Sequence, residues 1–177
     1  MNYFQHRRVA PRVLFLLLAL GSSLAMGSNS LAAAPPGRFV LGVGDDTGTT
    51  KDLVNGLMWQ RLANPQGEAV FTFADAQEYC AHLSLAGFAD WRTPTIKELI
   101  TMVDESNTPT VDPTYMPAGT YMCGMSDCYT ELWSSTLYAG LLAGPSSAGR
   151  TGWALSLRDG VIRADPFNYS NAVRCVR

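Results

Sequence analysis

The sequence predicts an α+β fold. Two capped helical segments stand in its first half, four short apolar runs separated by turn residues follow, and four cysteines lie beyond residue 79. Helices set apart from a succession of antiparallel strands define that class.

The elements follow in order. Pro35, Pro36 and Gly37 on one side and Gly42, Gly44, Asp45, Asp46 and Gly48 on the other frame a short strand over 38–41. The segments 49–52 and 57–60 read as the arms of a hairpin, because Asn55-Gly56 between them supplies the positive φ of a tight turn. A loop with Asn64, Pro65 and Gly67 leads to a first helix over 73–85. Thr72 is its N-cap, Asp75 sits in the favourable first turn, and Phe73, Ala76, Cys80 and Leu83 form its apolar stripe. Gly87 stops it.

Thr95, placed after Pro94, opens a second helix and forms a capping box with Glu98; Ile96, Leu99, Ile100 and Val103 supply its buried face. A long polar loop over 104–131 then carries Pro109, Pro113, Pro117, Gly119 and Gly124, a length that marks a functional or packed excursion. Strands resume at 132–136, at 153–157, at 161–164 after the Arg158-Asp159-Gly160 turn, and at 172–176.

The first 34 residues read as a signal peptide. Arg7, Arg8 and Arg12 precede an unbroken apolar run over 13–20 that fades through Gly21, Ser22 and Ser23, and small residues allow cleavage after Gly27 or near 32–34. The run is shorter than the roughly 20 residues of a membrane span, so no stable membrane insertion is expected after cleavage. The remaining 35–177 form one domain, expected in the periplasm or outside the cell.

Cleavage removes three arginines and no acid from a chain of 13 basic and 15 acidic residues, leaving a net charge of −5. Nucleic acid, which selects a basic footprint, is therefore not an expected partner. The final third runs against this balance, with Arg150, Arg158, Arg163, Arg174 and Arg177 against Asp159 and Asp165.

In an oxidising compartment Cys80, Cys123, Cys128 and Cys175 read as two disulfides, with three connectivities open. A four-cysteine zinc site would need paired knuckles that the spacing lacks, and His82 is the only histidine after cleavage. No metal and no cofactor are expected.

Gly56-Leu57-Met58-Trp59-Gln60, the Cys80 helix, Trp91-Arg92-Thr93-Pro94-Thr95 with Glu98-Leu99, Trp133-Ser134-Ser135 and Val173-Arg174-Cys175-Val176-Arg177 form an ordered set. This succession resembles the C-terminal domain of the collagen-like adhesin Lcl, an exported bacterial family, over nearly the whole mature chain. The Arg-Thr-Pro-Thr-x-x-Glu segment and the Arg-Cys-Val-Arg end also resemble the formylglycine-generating-enzyme branch of the C-type lectin-like fold. The resemblance implies two helices packed on a twisted antiparallel sheet with a long loop region. It also implies that Cys80 pairs with Cys175, which leaves Cys123 for Cys128. The calcium-sugar triplets of such lectins do not recur here, since Trp133 is followed by Ser134 and Ser135. Nor do Cys123 and Cys128 match the cysteine positions of the formylglycine-generating enzymes, so their catalysis is not carried over.

Side-chain chemistry points to binding rather than turnover. Ser134 and Ser135 lack a nucleophile elbow, Glu98 is explained by its cap, and Arg92 stays protonated. The acids Asp104, Glu105, Asp112, Asp127 and Glu131 match no EF-hand spacing. No catalytic residue is expected. Trp59, Trp91 and Trp133, embedded in structural motifs, read as core, whereas Trp153 is a candidate sugar-stacking surface. Guanidinium groups grip sulfates and carboxylates in two-point fashion, so Arg150, Arg158 and Arg163 beside Trp153 and Tyr169 form the candidate ligand site. The expected function is an exported binding module for a surface polysaccharide, an anionic glycan or a partner protein. The alternative is a structural or assembly component of the cell envelope without a small ligand, a role compatible with oligomerisation.

Overall fold

The computed structural model describes residues 35–63, 70–117, 131–140 and 150–177. Within them the chain runs β1 (Phe39–Leu41), β2 (Thr49–Asp52), β3 (Met58–Gln60), α1 (Phe73–Ala81), α2 (Ile96–Ile100), β4 (Glu131–Leu137), β5 (Thr151–Ser156) and β6 (Ile162–Pro166). The α+β class holds. The expected single sheet does not: the strands form two three-stranded antiparallel sheets, ordered β1-β2-β3 and β4-β5-β6.

The first sheet is built from local signals. β2 and β3 pair with Thr50 opposite Trp59, and Gly56 in their turn takes a φ of 75° while Asn55 Oδ1 accepts the amide of Leu57 at 3.0 Å. The turn is closed by its own side chain. Asp52, fully buried, accepts from Arg38 Nε at 3.0 Å, so β1 is tied to β2 by an ion pair as well as a ladder.

Both helices start where the caps place them and end earlier than expected. Thr72 Oγ1 accepts the amide of Asp75 at 3.4 Å. α1 stops at Ala81 instead of running to 85 because Ala86 and Gly87 take φ values of 56° and 73°. These left-handed residues form a tight turn in which Leu85 and Phe88 exchange both backbone hydrogen bonds, at 3.1 and 3.0 Å. Such a turn cannot continue a right-handed helix.

In α2 the capping box forms as expected: Thr95 Oγ1 accepts the Glu98 amide at 3.3 Å and Glu98 Oε2 accepts the Thr95 amide at 2.7 Å. The helix is one turn and then tightens, with Met102 donating to the Leu99 carbonyl and Val103 to that of Ile100. The tightening corrects the expected buried face. Leu99 and Met102 are in the core, whereas Ile100 is 43% exposed.

Arg92 grips Glu98 with both terminal nitrogens, at 2.9 and 2.6 Å. Those hydrogen bonds, opposed by partial desolvation and aided by the Thr95 amide and hydroxyl, hold the Glu98 carboxyl down from 4.5 to about 2. A folded value below the unfolded one gives stability that is fully present above pH 4.5 and is lost as the pH falls toward about 2. Arg92 is half exposed, so solvent screening keeps the effect modest. Glu98→Gln is expected to flatten the acid limb of the stability curve, read by urea unfolding between about pH 5 and pH 2.

The second sheet lies against both helices, with α2 over β4 and β5 and α1 over β4. One face carries Leu132 and Leu155 into a core shared with Trp59, Leu99 and Met102. The other carries Trp133 and Ala154 into a core with Phe73, Ala76, Trp91 and Val173. Gly152 is required by this second core. A Cβ there would come within 2.5 Å of Phe73 Cδ2, on a ring stacked against Phe167 at 4.0 Å.

The C-terminal segment joins the two halves. It was expected as a strand over 172–176, but it makes single rungs with several neighbours instead of a ladder with one. Asn171, Cys175 and Arg177 bond on one edge to Phe71, Gln60 and Met58, and Ala172 and Val176 bond on the other edge to β4 and Arg92. Its side chains alternate too: Ala172 and Val176 enter the first core, Val173 and Cys175 the second. Cys175 is there bonded to Cys80 of α1, as the resemblance implied. The expected Cys123–Cys128 pair and the signal peptide lie outside the described residues.

Between 104 and 117 the expected long loop is a packed excursion. Asp104 donates its amide to the Thr110 carbonyl at 2.8 Å, Thr110 donates to Leu157 at 2.7 Å, and Val111 and Met116 are buried.

Candidate functional site

The best-formed exposed feature lies at one end of the second sheet. β4 and β5 pair as far as Leu137 opposite Gly152, and the Tyr138 amide then bonds to the Thr151 carbonyl at 2.9 Å. This brings the Tyr138 ring edge-on to Trp153, with centroids 4.9 Å apart and planes at 86°. Edge-to-face packing holds both rings rigidly. Trp153 and Tyr138 are half-buried, unlike Trp59, Trp133 and Trp91, which are in the core as expected.

The same end gathers two more of the expected residues. β5 pairs with β6 through Thr151 opposite Pro166, and Phe167 donates to the Arg150 carbonyl at 3.2 Å. Tyr169, 54% exposed, closes a turn onto the Pro166 carbonyl. Arg150, Trp153 and Tyr169 therefore belong to one end of the sheet, and Tyr138 joins them. Tyr138 was missed in the sequence; its place just past the Trp133 strand was the signal.

Arg158 and Arg163 are placed elsewhere. Arg158 follows β5 whereas Arg150 precedes it, a separation of eight residues and roughly 26 Å of extended chain. Arg163 stands opposite Ala154, and Trp153 opposite Ala164, so the pleat directs Arg163 and Trp153 to opposite faces. Arg163 is also engaged, at 3.2 Å from Glu131 and 2.9 Å from Asp159. Burial, and then the charge of Asp165, push the Glu131 carboxyl up from its ordinary range. Asp165 itself accepts from Asn171 Nδ2 at 2.8 Å.

The remaining C-terminal arginines are not a basic surface. Arg174 is fully buried, and Arg177 pairs with Asp90 at 2.7 Å while stacking 3.5 Å above the Phe88 ring. The final third is locally basic in composition but is largely neutralised or interior in space.

Other groups with catalytic potential are tied to the backbone. Ser134 Oγ donates to the Trp153 carbonyl at 2.6 Å and Ser135 Oγ to that of Pro94 at 3.2 Å. His82 Nδ1 lies 2.9 Å from the Glu78 carbonyl one turn earlier. Among the described residues no three His, Cys, Asp or Glu side chains converge as metal ligands. Asp112 Oδ1 caps its own loop by accepting the Thr114 amide.

The Lcl C-terminal domain is matched over residues 48–177. No curated protein matches the chain.

Proposed function

The chain belongs to the Lcl C-terminal domain family, and on that premise we propose that it is an exported binding module for a surface glycan or a partner molecule on the cell surface. The observation that carries this reading is the Tyr138–Trp153 pair, two rigid aromatic rings at an accessible sheet end, with Arg150 and Tyr169 at the same end. An apolar ring face stacks on a pyranose, and an arginine at its rim selects an acidic sugar through paired hydrogen bonds. Of the three expected arginines Arg150 is the one at this end of the sheet, and the reading assigns the anionic part of the specificity to it by that position alone.

The reading includes the finer fold assignment, a C-type lectin-like domain with Cys123–Cys128 as its second disulfide. It also includes secretion or residence in the periplasm after loss of residues 1–34. The buried Cys80–Cys175 bond, between cysteines 95 positions apart, suits an oxidising compartment. No catalytic role, metal or cofactor belongs to this reading.

A second reading, an assembly component of the envelope, draws on the first sheet. Val40, Val43, Leu53 and Val54, on β1 and the turns beside it, are 45%, 80%, 58% and 69% exposed.

A glycan array probed with residues 35–177 separates the two. Binding to acidic glycans that falls about 10-fold or more with Trp153→Ala and weakens with Arg150→Gln, but is unchanged in Arg163→Gln, is the expected result. A silent array beside a stable oligomer that Leu53→Ser or Val54→Ser dissociates favours assembly.

A further inference from the structure

The even residues of the C-terminal segment face the first core, and among Ala172 and Val176 stands an arginine. Arg174 is fully buried. Its Nη1 donates to the carbonyls of Gln60, at 3.1 Å, and Arg61, and its Nη2 to that of Pro117 at 2.8 Å. Arg61 lies beside it, half-buried, with Nη2 donating to the Thr114 carbonyl at 3.1 Å on the solvent side.

Among the described residues nothing balances the charge. Among the described residues no carboxylate pairs with either arginine, and the Nε of each is buried without an acceptor. Burial, and then the charge of Arg61, push the Arg174 guanidinium down to about 9. Neutral carbonyls satisfy N–H groups without cancelling a second positive charge brought into a dry site. Two mutually repelling guanidiniums with unused donors call for an anion that accepts from both.

We propose that Arg61 and Arg174 form a binding site for a small oxyanion: a sulfate, a phosphate or the carboxylate of a larger ligand. The anion approaches from the Arg61 side, since Arg174 has no surface of its own. The proposal is independent of the aromatic end of the second sheet.

The test uses oxidised residues 35–177 labelled with 15N. Sodium sulfate, sodium acetate and methyl glucuronide are each titrated against sodium chloride at matched ionic strength. Expected is a saturable shift of the Arg61 and Arg174 Nε–H resonances. The unfolding midpoint is expected to rise by about 5–10 °C once the anion exceeds its dissociation constant about 100-fold. Arg61→Gln is expected to abolish the saturable shift and leave only the general stabilisation that sulfate gives any folded protein, while Arg61→Lys, which keeps the charge, retains a weakened response. The three salts separate a free inorganic anion from a carboxylate on a larger ligand. The proposal is overturned if the Nε–H signals are unmoved by all three, which would mean that the chain's own acids fill the site or that it stays empty. It is equally overturned if Arg61→Gln and the parent protein respond alike.

Discussion

Replacing Cys80 with serine is expected to lower the unfolding free energy of the oxidised domain by about 4–5 kcal/mol. The bond it removes joins residues 95 apart, and closing a loop of that length restricts the unfolded chain strongly. Its place in the fold adds to this. It ties α1 to the C-terminal segment, which bonds both sheets, so its loss frees a strap that nine backbone hydrogen bonds otherwise hold. Both cysteines are fully buried, which leaves the serine hydroxyl in an apolar core with Trp91, Trp133 and Val173. A domain of this size has about 5–15 kcal/mol in total, so the variant loses between about a third and nearly all of its stability. Urea unfolding of the oxidised proteins measures the loss, and peptide mapping without reductant identifies the linked pair. A loss below about 1 kcal/mol would show that the unfolded chain is constrained by something other than this bond.

The parts of the fold legible in the sequence are those whose cause is local. Thr72 with Asp75, Thr95 with Glu98, and Asn55-Gly56 each place a boundary through groups within three residues of one another, and each stands where it was expected. Helix ends were less legible. The end of α1 depends on a turn at Ala86 and Gly87 of which only the glycine announces itself; alanine rarely adopts a positive φ. The division into two sheets was not legible, because the partners of the C-terminal segment lie at Met58, Gln60, Phe71, Arg92 and β4, and spacing along the chain says nothing of which it chooses.

The candidate site divides in the same way. Trp153 could be told from the other three tryptophans by its context, and it is the half-buried one. The arginine cluster could not be told from a count of charges. Whether Arg163 shares a face with Trp153 is a matter of β5–β6 register, and a register one residue different would have put them together. Arg174 reads as surface charge in any composition and is instead a buried cation on three carbonyls.

Trp133→Ala is expected to cost about 4–5 kcal/mol, toward the upper end for a large core truncation. The indole is fully buried between the sheet and α1, where it meets the edge of Phe73 at 5.5 Å and 83°. Phe73 is itself stacked on Phe167 and pressed against Gly152, so its ring cannot move in to fill the cavity. The polar contribution is smaller. Nε1 donates to the Phe71 carbonyl at 2.7 Å, but that carbonyl also accepts the Asn171 amide at 3.1 Å and keeps a partner when the indole is lost. Trp133→Phe, which keeps most of the ring volume, is therefore expected to cost only about 1–2 kcal/mol. Urea unfolding with an unchanged denaturant dependence measures both values. The contrast with Trp153 sharpens the result. Trp153→Ala is expected to cost less stability while removing ligand binding, because its ring is half in solvent; Trp133→Ala should do the reverse in whatever fraction remains folded. If Trp133→Ala costs less than about 2 kcal/mol, the second core yields around Phe73, Phe167 and Gly152, and the division between packing and binding tryptophans fails with it.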